Sequence, residues 1–92
     1  MNEKETEQFI EIIESIKELR LRKSADYGNS WKIFGLMGVV YQIMSKSIRI
    51  WNLVRKETQP ANESLRDSFI DMANYAIMAV QLIDMGETEP KI

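Results

Sequence analysis

The chain contains neither cysteine nor histidine. Without cysteine, disulfides and thiolate metal sites are excluded. Without histidine, the usual general base near neutral pH and the commonest zinc ligand are both missing. Any metal would have to be hard and oxygen-bound, such as magnesium or manganese. Positive charge is not in excess either: 12 Lys and Arg stand against 14 Asp and Glu, a net charge of -2. A protein that coats DNA or RNA generally neutralises many phosphates with clustered cations, so general nucleic-acid binding is not expected. No apolar run is long enough to span a bilayer. The start, Met1-Asn2-Glu3-Lys4-Glu5, lacks the basic and then apolar layout of a signal peptide. The expectation is a cytoplasmic protein with no membrane partner.

What is present is an ordinary globular balance, 45% hydrophobic and 28% charged over 92 residues, sized for one domain. Phe9, Ile12, Ile13, Ile16 and Leu19 recur at helical steps, with Glu7, Glu11, Glu14 and Glu18 opposite. Early acids and late cations (Arg20, Arg22, Lys23) suit a helix dipole, so the first helix is predicted over about 3–23. Gly28 and Asn29 tolerate left-handed angles and predict a turn through Ser24–Ser30. Ser30 is placed to cap a short helix near 31–34, and Gly35 and Gly38 bracket another break. A second long helix is predicted over 39–57, with Val40, Ile43, Met44, Ile50, Trp51 and Val54 inward. Thr58-Gln59-Pro60-Ala61-Asn62 reads as a linker, Pro60 stopping the helix. The third helix is predicted over 63–85, with Ser64 and Asp67 resembling a capping box. Its core stripe is read as Leu65, Phe69, Met72, Ala73, Ala76, Val80 and Ile83. Gly86 is the expected C-cap. The fold class is therefore all-α, one helical domain over 1–92 with 86–92 as a flexible tail.

The second half of the third helix is apolar nearly all round, from Tyr75 through Ile77, Met78, Val80, Leu82 and Ile83. Such a helix needs neighbours on every side. A three-helix unit this small supplies few. A homo-oligomeric bundle is expected on that ground.

Three clusters could carry chemistry. Lys23, Asp26, Tyr27 and Trp31 surround the first turn: rings can stack on a base and a lysine can meet a phosphate. The plainer alternative is two aromatics plugging the core. Lys46 and Arg49, three residues apart on one helix face, could clamp a di- or triphosphate; alone, they read more readily as a solvated face. Asp67 and Asp71 lie one turn apart with Asn74 and Tyr75 close by. The two carboxylates could hold magnesium or pair with Lys46 and Arg49. That third stripe continues into Met78 and Met85, poor choices for solvent, so Asp71 and Asn74 are expected to be at least partly buried.

Taken together, Lys23, Asp26, Tyr27, Gly28 and Trp31, then Lys46 and Arg49, then Asp67, Asp71, Asn74, Tyr75 and Ala76 resemble the nucleotide-modification-associated domain family of bacteriophages and prophages, the first of that name. The resemblance runs from about Lys23 to Met85. That family resembles, distantly, the all-α nucleoside triphosphate pyrophosphohydrolases of the MazG type. The resemblance implies a helical oligomer and a phosphorylated-nucleotide ligand. MazG-type enzymes hold magnesium with Glu-x-x-Glu on one helix and Glu-x-x-Asp on the next. Here the central helix offers Lys46 and Arg49 instead, and Glu11 and Glu14 have the spacing on the wrong helix.

That departure favours binding anions over cleaving them. The leading expectation is a phage-type protein that binds phosphorylated, even cyclic, nucleotides without efficient turnover, and so could sequester a host immune signal. Its ligand-binding residues would be Lys23, Asp26, Tyr27, Trp31, Lys46, Arg49, Asp71, Asn74 and Tyr75. No catalytic residue is identified. The alternatives are a magnesium-dependent pyrophosphohydrolase, with Asp67 and Asp71 on the metal, and a structural helical adaptor.

Overall fold

Asn2 starts the first helix. In the computed structural model its side chain accepts from the Glu5 backbone N–H at 2.8 Å, and the Glu5 carboxylate accepts from the Asn2 N–H at 3.3 Å. This capping box satisfies otherwise unpaired donors. The structure describes residues 1–56 and 62–92. It is all-α: α1 is Glu3–Tyr27, a 3-10 turn covers Ser30–Lys32, α2 is Gly35–Arg55 and α3 is Asn62–Met85. The linker at residues 58–61 and the stop assigned to Pro60 lie outside the described residues.

Several boundaries differ from the sequence expectation. α1 runs one turn past Lys23, because Ser24-Ala25-Asp26-Tyr27 contains no breaker and the helix stops only at Gly28, with φ +60°. Arg20, Arg22 and Lys23 therefore no longer form the last turn. Asn29 keeps an ordinary φ of -95°, and the short helix is a 3-10 turn with no side-chain cap rather than a helix over 31–34. α2 begins four residues early, at Gly35, and Gly38 lies inside it. Ser64 is also inside α3; its hydroxyl receives Arg49 instead of capping with Asp67.

α3 ends as expected at Gly86. The Glu87 N–H donates to Leu82 O at 2.9 Å and the Gly86 N–H to Ile83 O at 3.1 Å, the paired bonds of a Schellman ending. The tail read as frayed is tied down at two points. The Leu36 N–H donates to Thr88 O and the Lys91 N–H to Ile33 O, both at 2.8 Å. Glu87 also meets Lys32 at 3.3 Å and Lys91 at 3.4 Å. Gly35 makes the close approach possible: its φ is +62°, and a Cβ there would run into the Thr88 carbonyl oxygen.

α2 and α3 form the main packing pair. Contacts run from Arg49 with Ser64 to Lys46 with Asp71 and on to Leu36 with Thr88, so the two are antiparallel. α1 joins along its second half, where Ile16 is its one buried residue. Phe9 and Ile13, read as core, are about half exposed.

The two faces of α3 are exchanged relative to the sequence reading. Phe69, Val80 and Ile83 are 52%, 56% and 57% exposed, whereas Ser68, Asn74 and Leu82 are buried. On α2, Met44, Trp51 and Val54 are likewise exposed, while Gln42 and Lys46 are half-buried. In its first half the inward side of α3 is polar because α2 presents cations to it: Arg49 and Lys46 need acceptors, and Ser64, Ser68 and Asp71 provide them. Leu65, Met72 and Ala73 stay half-buried, and further on the fully buried residue is Leu82.

This leaves much apolar surface uncovered. The accessible area is 7163 Å², against about 5,500 Å² for a compact monomer of this mass. The radius of gyration is 15.1 Å, against about 12 Å for a compact chain of this length. No helix among the described residues is long and apolar enough to cross a membrane.

Candidate functional site

The extra turn of α1 decides the site's geometry. Continuing the helix to Tyr27 places Arg20, Lys23, Ser24 and Tyr27 at steps of three and four, on one face. The turn at Gly28 (φ +60°, ψ -130°) then folds the chain back, and Trp31 returns to meet the same face. The Arg20 guanidinium lies 4.7 Å from the Trp31 ring centroid, and the Lys32 ammonium lies 5.5 Å from it. Arg20 has no carboxylate within 4 Å among the described residues. Burial pushes its guanidinium below the ordinary value, because desolvation disfavours the charged form. An anion arriving there would meet a cation with no competing acid.

Two cavities share this wall. The first, about 560 Å³, lies between α1, the turn region, α2 and α3, and is lined by Arg20, Lys23, Tyr27, Trp31 and Tyr75 among others. The second, about 490 Å³, runs between α1, the turn and α3, and includes Lys17, Arg20, Lys32, Asn74 and Gln81. Arg20, Ser24 and Trp31 line both. Each volume falls in the range of small-molecule sites. Among the described residues, no aspartate or glutamate lines either cavity.

Asn74 is the sharpest feature of the second cavity. It is 6% exposed, and its Oδ1 is buried without a hydrogen-bond partner. A buried acceptor left unpaired is costly and uncommon.

Beside the cavities, Asp71 links all three helices. Its carboxylate is 3.2 Å from Lys46 of α2 and 3.8 Å from Lys23 of α1. One turn further on, Arg49 donates through Nε to Ser68 Oγ at 3.1 Å and through Nη2 to Ser64 Oγ at 3.0 Å. Ser68 donates in turn to the Ser64 carbonyl at 2.9 Å.

Of the residues singled out in the sequence, Lys23, Tyr27, Trp31 and Tyr75 therefore share the first cavity, and Asn74 lines the second with Trp31. Asp71 and Lys46 form the adjoining ion pair, partly buried as expected for Asp71. Arg49 is engaged by serines and lines neither cavity. Asp26 and Asp67 are exposed and line neither cavity. Among the described residues no three acidic side chains gather to hold a metal ion, and Asp71 is already occupied by two lysines. Asp71 faces Lys46 and Lys23, while Asp67 is exposed, so the two carboxylates named for a metal stand in different surroundings.

Sequence reasoning passed over Arg20, Lys17 and Lys32. The signal was available: Arg20 falls seven residues before Tyr27 and shares its face only if the helix continues through Tyr27. Ending the helix at Lys23 hid that face.

A family model described as nucleotide modification associated domain 1 matches residues 23–85. No curated protein and no solved structure matches the chain significantly.

Proposed function

The chain belongs to the nucleotide modification associated domain 1 family, and from that premise we propose that it binds phosphorylated nucleotides, linear or cyclic, without efficient turnover. One observation carries the reading: a cavity of about 560 Å³ presents Arg20 and Lys23 beside the rings of Tyr27 and Tyr75, with no acidic side chain on its wall. Guanidinium and ammonium groups meet phosphate oxygens, and tyrosine rings stack on a base. Trp31 acts differently from a free stacking platform, because Arg20 and Lys32 already lie against its ring. It holds Arg20 in place. Asp71 holds Lys23 and Lys46 by charge, and Arg49 fixes α2 to α3.

Turnover by magnesium-assisted hydrolysis requires converging carboxylates that hold metal and orient water. The acidic residues do not converge here, so no hydrolytic step is assigned to them. A binder of this kind, acting in the cytoplasm of a phage-infected host, would sequester a nucleotide signal of host immunity.

The protein assembles, in the same reading, as a homo-oligomer. On α2, Met37, Tyr41, Met44, Ile48 and Trp51 are all exposed and alternate steps of four and three. On α3, Phe69, Ala73, Ala76, Val80 and Ile83 repeat the pattern. This is the spacing of helices that pack side by side over several turns. The area in excess of a compact monomer, roughly 1,600 Å², exceeds the about 800 Å² per partner that a standard interface covers.

Calorimetric titration with a panel of nucleoside mono-, di- and triphosphates, with chromatography of the solution afterwards, tests the reading. Intact nucleotide should bind the native protein, and Arg20→Gln should weaken binding at least tenfold while leaving the helical circular dichroism unchanged. Pyrophosphate release with magnesium would support a hydrolase instead. No binding in any arm would leave a structural adaptor.

A further inference from the structure

The second cavity is a separate compartment with its own chemistry. It meets the first only at Arg20, Ser24 and Trp31. Beyond that wall it offers Lys17 and Lys32, the carboxamides of Asn29, Asn74 and Gln81, and the apolar side chains of α1 and Ile77. Lys17 and Lys32 already have acidic neighbours, Glu14 and Glu87, each at 3.3 Å. Arg20, on the shared wall, has none among the described residues. The anionic part of a ligand therefore belongs at the wall. The far part meets amides and apolar surface, which suits a flat group with hydrogen-bonding edges.

Asn74 gives this compartment its demand for a donor. Its Oδ1 is buried and unpartnered, and a ligand N–H would satisfy it. Every nucleobase carries an N–H on its pairing edge, either an exocyclic amine or a ring nitrogen, and asparagine reads such edges through its carboxamide. A single mononucleotide would fill one compartment and leave either the Tyr27 and Tyr75 side or the Asn74 side without a partner.

We propose that the ligand carries two nucleosides joined through phosphate, with the phosphates on Arg20 and one base in each cavity. This rests on the nucleotide reading above and names its ligand class. Tyr27 and Tyr75 face the first base. Asn74 accepts from the second. Ser24, on the shared wall, has its hydroxyl beside the linking phosphates.

The test compares the four nucleoside 5′-monophosphates with the corresponding 5′-phosphorylated homodinucleotides and cyclic dinucleotides, by calorimetry on the full chain. At least one dinucleotide, linear or cyclic, should bind more tightly than its mononucleotide by roughly tenfold or more, the order that pairing a buried, otherwise unpartnered acceptor contributes. Asn74→Leu should abolish the preference, so that the dinucleotide binds no more tightly than the mononucleotide. Arg20→Gln should weaken both. Equal affinity of mono- and dinucleotides for the native protein would overturn this inference and leave the binding function standing. Binding of none of the probes would overturn both. An Asn74→Leu protein that keeps the native preference would remove Asn74 from the second compartment and overturn the two-base arrangement.

Discussion

Asn74→Leu should make the ligand-free protein more stable. A buried acceptor without a partner costs about 1–3 kcal/mol. Leucine removes that acceptor, and its helix propensity exceeds that of asparagine by about 0.5 kcal/mol. The larger side chain must find room. Leucine keeps the same branching, with methyl groups in place of the carboxamide oxygen and nitrogen, and Asn74 lines a cavity of about 490 Å³, so crowding takes back about 1 kcal/mol, as for near-isosteric swaps. The net gain is about 1–2 kcal/mol, equivalent to a rise in Tm of roughly 5–15 °C for a domain of this size. Thermal unfolding followed by circular dichroism, at matched protein concentration and without nucleotide, measures it. The combination matters more than either half: a substitution that stabilises the fold and weakens dinucleotide binding marks a polar group kept for a ligand. A fall in Tm of several degrees would refute the reasoning, since it would mean that the carboxamide is satisfied within the protein and supports the fold.

The glycines provide a second check. Gly28→Ala meets no neighbouring atom and should cost only backbone strain, about 1–3 kcal/mol. Gly35→Ala adds a collision with the backbone of Thr88 and Glu89, so it should also release residues 87–92 to carboxypeptidase digestion; equal protection of the tail in both variants would count against the docked tail. Glu87 should make that docking acid-sensitive. The ammonium groups of Lys32 and then Lys91, 3.3 and 3.4 Å away, hold its carboxyl below the ordinary value of 4.5. A carboxylate whose pKa is depressed on folding contributes stability above its unfolded pKa and loses it as pH falls through the folded one. The Leu36 and Lys91 amide resonances should therefore shift only below about pH 4.5, and Glu87→Gln should remove the transition. Finally, Ile48→Glu and Val80→Glu should each lower the mass measured by light scattering while helicity is retained; an unchanged mass in both would argue against assembly through these stripes.

The helices themselves were legible because their causes are local. Apolar periodicity marks the course of α1 and α3 and Gly86 the end of α3, whereas the sequence reading ends α1 a turn early, at Lys23 instead of at Gly28. The docking of the tail was not legible, because it depends on Gly35 being bare at the point where Thr88 and Glu89 cross it, residues more than fifty positions away. The site was half legible. Tyr27, Trp31, Tyr75 and Asn74 stand out by residue type. Arg20 does not, since one arginine near a helix end looks like a dipole partner until the helix is known to run on for another turn.

The exchanged faces of α3 have a more general cause. Periodicity divides a helix into two stripes, but it does not say which stripe faces the same chain. The usual inference, apolar inward, assumes that the partner's facing side is also apolar. Here α2 turns Lys46 and Arg49 toward α3, and the stripe that can neutralise and hydrogen-bond them is Ser64, Ser68 and Asp71. Burying those cations against Phe69, Val80 and Ile83 would leave charges without partners, at several kcal/mol each. Exposing the apolar stripe costs less at about 25 cal/mol per Å², and nothing at all once another chain covers it. The interior is mixed, with Ile16, Val39 and Leu82 buried beside Ser68 and Asn74, and a monomer so built leaves its apolar stripes to solvent. If a second copy covers those stripes, as the proposed assembly requires, the exposed apolar area is recovered while Lys46 and Arg49 keep their partners at the seam between α2 and α3.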